Sequence, residues 1–225
     1  PERGRSALDA VEALDYMVNM MREHVPSDAR LHYIITSGGS APNVVPDFAE
    51  SYHYVRHPDT HVVEEIFDRM VKAAEGAALG TGTTMDYEVI GGVHSILPNE
   101  TLARVMYVKL SEVGGIHYTA DERTFAEQLY TSLVQPDMPL GSEADVQAFE
   151  FERPGIGSTD VADVSWNVPT VGLRVATWVP GTSAHSWQAV AAGGMGIGYQ
   201  GMKNASQVLA LMGEELFTHP ELIAK

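Results

Sequence analysis

The stretch Leu31-His32-Tyr33-Ile34-Ile35-Thr36-Ser37-Gly38-Gly39-Ser40-Ala41-Pro42-Asn43-Val44-Val45-Pro46-Asp47, with Ala49 to Arg56 behind it, decides how the first half of the chain is read. Leu31 to Thr36 is rich in β-branched and aromatic residues, and Ser37 to Pro42 breaks it with small residues, glycines and a proline. Val44 to Asp47 leads into Ala49 to Arg56, which alternates as a strand does. Working outward, Ser6 stands where it can cap a helix, and Leu8, Val11, Leu14, Val18 and Met21 recur at three- and four-residue steps until Pro26. On the other side Asp59 or Thr60 caps a second helix with Val62, Val63, Ile66, Phe67, Met70 and Val71 on its apolar side, and Gly76 and Gly80 loosen its end. Thr83 to Ile90 reads as a further strand. Helix, strand, strand, helix, strand is most simply buried as two helices over one face of a small antiparallel sheet, and residues 1 to about 98 form one domain on this reading.

After Pro98 the texture changes. Glu100 to Val113 reads as an amphipathic helix stopped by Gly114 and Gly115. Thr119 caps another over Asp121 to Leu133, with Phe125, Leu129 and Leu133 inward. Residues 135 to 158 are rich in proline, glycine and acids and read as a long loop. An apolar run from Val168 to Trp178 follows, then the loop Pro180-Gly181-Thr182-Ser183-Ala184-His185. A small-residue helix comes next and continues from Ala205 to Phe217 with good propensity. The second domain is thus 99–225.

Composition excludes several classes of function. Fourteen Lys and Arg against thirty Asp and Glu give a net charge of −16, and no basic cluster exists to follow a phosphate backbone or an anionic membrane. The 225 residues contain no cysteine, which removes disulfides, thiolate nucleophiles and zinc–cysteine sites together. No apolar run approaches the roughly 18–20 residues that cross a bilayer. A soluble cytoplasmic chain is the expectation.

Histidines and a few polar residues are the candidates for chemistry. His53, His57 and His61 are spaced by four, but across a strand end, Pro58 and a helix cap, so they need not converge on a metal and read first as ordinary surface histidines. His32 lies just ahead of the Gly-rich turn, where a strand side chain can act as acid, base or electrostatic donor, or simply sit half-buried. Asn43 is a turn residue whose amide can reach a carbonyl or carboxylate. Arg56, at a strand end, can clamp a carboxylate or pair with a surface acid. His185 follows an apolar run on a loop, a common position for a ligand. Ser158, Asp160 and His185 can be written as a triad, but Ser158 lacks the Gly-x-Ser-x-Gly elbow.

Taken together, four segments resemble the dinuclear-metal aminoacylase and carboxypeptidase family of amidohydrolases. They are Gly38 to Asp47 ending in Tyr54-Val55-Arg56; the start through Gly4-Arg5-Ser6-Ala7-Leu8-Asp9-Ala10; Gly157-Ser158-Thr159-Asp160-Val161-Ala162-Asp163-Val164-Ser165-Trp166; and Gly181-Thr182-Ser183-Ala184-His185-Ser186-Trp187-Gln188. The resemblance implies a two-domain α/β architecture, in which 1–98 is an α+β lid that dimerises, with itself or another subunit, and 99–225 is the C-terminal segment of the catalytic domain. It implies hydrolysis of the amide bond of an N-acyl or N-aroyl amino acid such as aminobenzoyl-glutamate, with two divalent metals, manganese or zinc, per active site. His185 matches the C-terminal metal-ligating histidine and His32 the lid histidine that stabilises the oxyanion. Asn43 and Arg56 match residues that bind the substrate's carboxylate end, and Gly181 and Thr182 line the floor near it. The family's upstream catalytic half, with its His-x-Asp motif and Glu-Glu pair, has no counterpart here, so these residues alone are expected to be inactive. The competing expectation is a non-catalytic dimerisation or binding module.

Overall fold

The computed structural model describes residues 2–151 and 157–223, and these separate into two compact units. One gathers the described residues through Ser95 together with Ser158–Asp163. The other holds the described residues from Ile96 to Gly157 and from Val164 on.

In the first unit, α1 (Ala7–Met21) starts at Ser6, whose hydroxyl accepts the Asp9 N–H and satisfies one of the orphan donors of the first turn. Strands β1 (Arg30–Ser37) and β2 (Glu50–Arg56) form one antiparallel pair, and α2 (Thr60–Thr81) follows. Asp59 caps α2 by accepting the His61 N–H at 2.9 Å, and Gly82, at φ 69°, closes it in the left-handed conformation that glycine adopts without strain. The helix runs straight through Gly76 and Gly80. The register pairs Leu31 with Val55 and Tyr33 with His53 on the inner face. Leu31 joins Val18, Met21, Ile66 and Met70 in the core between helices and sheet.

The sheet has two strands rather than three. Thr83 to Ile90 forms no strand, and Tyr87, Val89 and Ile90 are exposed. A strand exists only where another backbone takes up its N–H and C=O groups, and among the described residues nothing pairs with this run. Its side chains alternate and its backbone does not ladder.

The second unit is helical. It contains α3 (Glu100–Val113), α4 (Ala120–Tyr130), α6 (Trp187–Gly193) and α7 (Gly196–Thr218). A five-residue helix, α5 (Val161–Ser165), carries the Gly157–Trp166 motif, where no helix was expected. The helix capped by Thr119 ends at Tyr130, three residues before the expected Leu133. Its cap is a full capping box, in which Thr119 accepts the Glu122 N–H while the Glu122 carboxylate takes the Thr119 N–H. The small-residue helix is two helices divided at Gly194 and Met195. In α7, Gly201 lies so close to the extended run behind it that a Cβ there would stand 2.5 Å from the Ala176 carbonyl oxygen. Leu102, Met106, Val208 and Met212 form one core, with Val171 and Leu173 packed on it, and Ala126, Leu129, Val179, Ala192 and Ile197 form another. Val168 to Trp178 is extended, with Val171 and Leu173 turned inward and Gly172 and Arg174 outward, but again without a partner strand among the described residues. The expected loop of 135–158 holds one 3₁₀ turn at Ser142–Ala144, and 152–156 lie outside the described residues.

Candidate functional site

The hairpin places the first-unit candidates. Alternation along β1 and β2 puts Arg30, His32 and Ile34 on the face away from the helices, opposite Arg56, Tyr54 and Tyr52 in that order. His32 is exposed and directly across from Tyr54, and Arg56 is one pair further on, across from Arg30. Two guanidinium groups and an imidazole therefore stand along one end of one face, a surface suited to a carboxylate. The Arg30 guanidinium is held by the Ser27 and Ala29 carbonyls at 2.6 and 2.7 Å. Tyr52 and Tyr54 meet edge to face at 5.1 Å, so aromatic surface adjoins the charged end. Asn43 is exposed in the connection between the strands, in a turn closed by the Val44 N–H to the Ala41 carbonyl. Six strand residues separate that end of the hairpin from Arg56, about 20 Å at 3.3 Å per residue. Asn43 thus belongs to the connection that joins the strands at the end opposite Arg56.

The three histidines spaced by four diverge, and two of them are not surface residues. His57 has little exposed side chain and sits 3.0 Å from Asp28, while its Nδ1 takes the Asp59 N–H at 2.9 Å. His61 is exposed beside Glu64. His53 points inward to Ser51, 2.8 Å from Nε2, and to Asp15, 3.7 Å away. Burial lowers the basicity of His53 and raises the Asp15 carboxyl to about 6, with the Glu12 carboxylate adding to the latter. This buried pair was missed from sequence, although an acid at position 15 on the inward stripe between Leu14 and Val18 was its signal.

In the second unit His185 is exposed, on the loop between Val179 and α6, with φ 60°. A non-glycine residue in that left-handed region carries strain of order 1–2 kcal/mol. The loop is pinned on its far side, where the Ser186 hydroxyl donates to the Ser183 carbonyl at 2.6 Å and accepts the Ala189 N–H to cap α6. His185 faces a shallow hollow of about 570 Å³, lined also by Trp178, Ser186, Trp187, Ala189 and Val190. The two tryptophans were not singled out from sequence. Their position on either side of the Pro180-Gly181 loop was the available cue.

Gly181 and Thr182 do not line this hollow. Gly181, at φ 77°, lies against Pro136, where a Cβ would stand 2.5 Å from the proline Cβ, so it is required for packing. The Thr182 hydroxyl is buried and has no hydrogen-bond partner. Among the described residues no group of three His, Cys, Asp or Glu could hold a metal ion. The residues present therefore do not make up a metal centre.

No family model matches the chain. Over 248 aligned residues it is 35% identical to a subunit of the p-aminobenzoyl-glutamate hydrolase of Escherichia coli (strain K12), covering 99% of this chain and 52% of that protein. It is 31% identical over 103 residues to the Xaa-Arg dipeptidase of Mus musculus, and 31% identical over 105 residues to that of Homo sapiens, in each case covering 45% of this chain and 24% of the relative. The chain belongs to the amidohydrolase family that these hydrolases and dipeptidases represent. It spans about half the length of the Escherichia coli relative.

Proposed function

We propose that the chain takes part in hydrolysis of the amide bond of an N-acyl or N-aroyl amino acid, with aminobenzoyl-glutamate as the first substrate to try. The observation that carries the reading is the 35% identity running through 99% of the chain to a hydrolase subunit with that substrate in its name. Residues 1–98 are the lid and 99–225 a segment of the catalytic domain. Arg56, with Arg30 opposite it, attracts the carboxylate of the amino acid part. His32, on the same face, offers an N–H to the oxygen that gains charge when the carbonyl is attacked. Asn43 contacts the substrate from the hairpin connection. Gly181 and Thr182 shape the loop that presents His185.

A divalent metal, manganese or zinc, supplies a polarised carbonyl and an acidic water when bound in such enzymes. This chain contributes His185 to it, and the remaining ligands come from sequence outside these 225 residues. Hydrolysis by the polypeptide in which these residues naturally occur is tested as glutamate release from p-aminobenzoyl-glutamate with added manganese or zinc. The reading expects His185→Ala to lose bound metal, and His32→Ala to lose turnover while keeping it. Full metal content in the former, or full turnover in the latter, overturns that residue's role.

A non-catalytic dimerisation or binding module is the second reading, supported by the outward apolar surface of Ile34, Tyr52 and Tyr54. A dimer, with itself or another subunit, that binds the acyl-amino acid without cleaving it in the same assay is its expected result.

A further inference from the structure

Asp15 and His53 are enclosed titratable residues of the first unit that the proposed reaction does not use. Asp15 is 5% exposed, and neither of its carboxylate oxygens has a hydrogen-bond partner; the buried His53 Nδ1 has none either. The nearest approach between the two is 3.7 Å, from His53 Nε2 to Asp15 Oδ1, too long for a hydrogen bond and short enough for one charge to govern the other.

Among the described residues, no third group around the pair offers a compensating charge. On α1 the neighbour is Glu12, whose carboxylate opposes ionisation of Asp15. On β2, Ser51 bonds His53 Nε2. On β1, Tyr33 lies with its ring centroid 5.6 Å from that of His53, and its hydroxyl accepts the Asn19 amide at 3.0 Å. The Arg22 guanidinium is spent on the Leu31 carbonyl and the Tyr33 ring. The titratable side chains of α2, namely His61, Glu64, Glu65, Asp68, Arg69, Lys72 and Glu75, are all exposed. Among the described residues no third group offsets the desolvation of a charged Asp15 or His53, and at 3.7 Å an ion pair between the two has no hydrogen bond to hold it.

We propose that Asp15 and His53 hold one proton between them in mildly acidic solution and that it resides on the Asp15 carboxyl, leaving the imidazole neutral. That is the inverse of their order in water, where at pH 5 the histidine carries the proton and the aspartate is charged. α1 then docks on the sheet without burying a charge. The inference does not depend on the hydrolytic reading.

The inversion has a consequence for stability. Alone, an aspartate whose folded value is raised stabilises at low pH, and that contribution is lost as pH rises from about 4 to about 6. Alone, a histidine whose folded value is lowered does the opposite, so stability is regained as pH rises toward the ordinary histidine value near 6.5. With both present the folded and unfolded chains each hold about one proton near pH 5, and the slopes cancel.

The test is NMR and urea unfolding on the whole 225-residue chain. At pH 5 the Asp15 carboxyl carbon is expected at its protonated shift and the His53 ring nitrogens at neutral-tautomer shifts; a carboxylate beside an imidazolium overturns the proposal. Between pH 5 and 6.5 the unfolding constant of Asp15→Asn should fall as pH rises, relative to the unaltered chain, approaching tenfold per unit for one proton. Between pH 4 and 6, His53→Gln should show the reverse slope. Parallel profiles for all three chains overturn it, and the spectrum of the unaltered chain decides if neither variant folds.

Discussion

One carboxylate oxygen of Asp163 meets His94 twice, accepting the backbone N–H at 3.0 Å and lying 2.9 Å from the ring Nδ1. Both residues belong to the first unit, although 69 positions separate them in the chain. The double contact holds the Asp163 carboxyl below its ordinary range, first through the backbone bond and then through the ring. Two residues on, the buried Ser165 hydroxyl accepts the Leu97 N–H at 2.8 Å. The Gly157–Trp166 motif thus fastens the extended run that ends at Leu97, a segment without a partner strand among the described residues to hold it.

Asp163→Ala is expected to free the His94 amide, seen as faster hydrogen exchange at His94 while Leu97 stays protected. Asp163→Asn keeps an acceptor oxygen and should retain much of the protection. A folded value held down means that this contact stabilises above the ordinary aspartate range and is lost as pH falls through the folded value. The pH profile of the Asp163→Ala chain should therefore converge on that of the unaltered chain in acid. Unchanged exchange at His94 would show that the bond does not order the segment.

Replacing Gly201 by valine tests the approach of α7 to the extended run. A Cβ at Gly201 would stand 2.5 Å from the Ala176 oxygen and 2.6 Å from the Thr177 methyl, and backbone cannot yield as a side-chain end does. Overpacking of this kind costs about 1–3 kcal/mol, read as a lower urea midpoint. Gly213→Ala, in the same helix with nothing near its Cβ, should be neutral or slightly stabilising.

The α4 cap offers a smaller, local test. Thr119→Ala removes the side-chain acceptor for the Glu122 N–H and should cost about 1 kcal/mol. Glu122→Ala should cost more, because Glu122 also takes the Gln200 amide from α7 at 2.5 Å and so joins two helices. Equal losses in thermal unfolding for the two variants would mean that the link to Gln200 adds nothing.

These helix ends were legible in the sequence because capping and apolar period are local. Ser6, Asp59 and Thr119 each sit next to the backbone groups that they satisfy. Thr83 to Ile90 was not legible, since its alternation is the same whether or not a second backbone lies alongside. Asp15 and His53 were hidden for a related reason: a strand residue's inward face depends on a register fixed by the partner strand, here Tyr33 opposite His53. The candidates on β1 and β2 shared a face because His32 and Arg56 fall in phase across the pair, which spacing alone could not reveal.

His185 gives the sharpest separation of stability from function. Its φ of 60° is strained for a histidine and free for a glycine, and its side chain is exposed, so little packing is lost when it is removed. His185→Gly is expected to stabilise the chain by about 1 kcal/mol, since the relief of left-handed strain exceeds the added freedom of glycine in the unfolded state. His185→Ala keeps the strain without the imidazole and should be no more stable than the unaltered chain. If His185 serves as proposed, both variants abolish metal retention and amide hydrolysis in the polypeptide that naturally contains these residues, while their stabilities move apart. A glycine variant that is more stable and fully active would mean that the strain at position 185 has no use in this chemistry, and the assignment of His185 would fall with it.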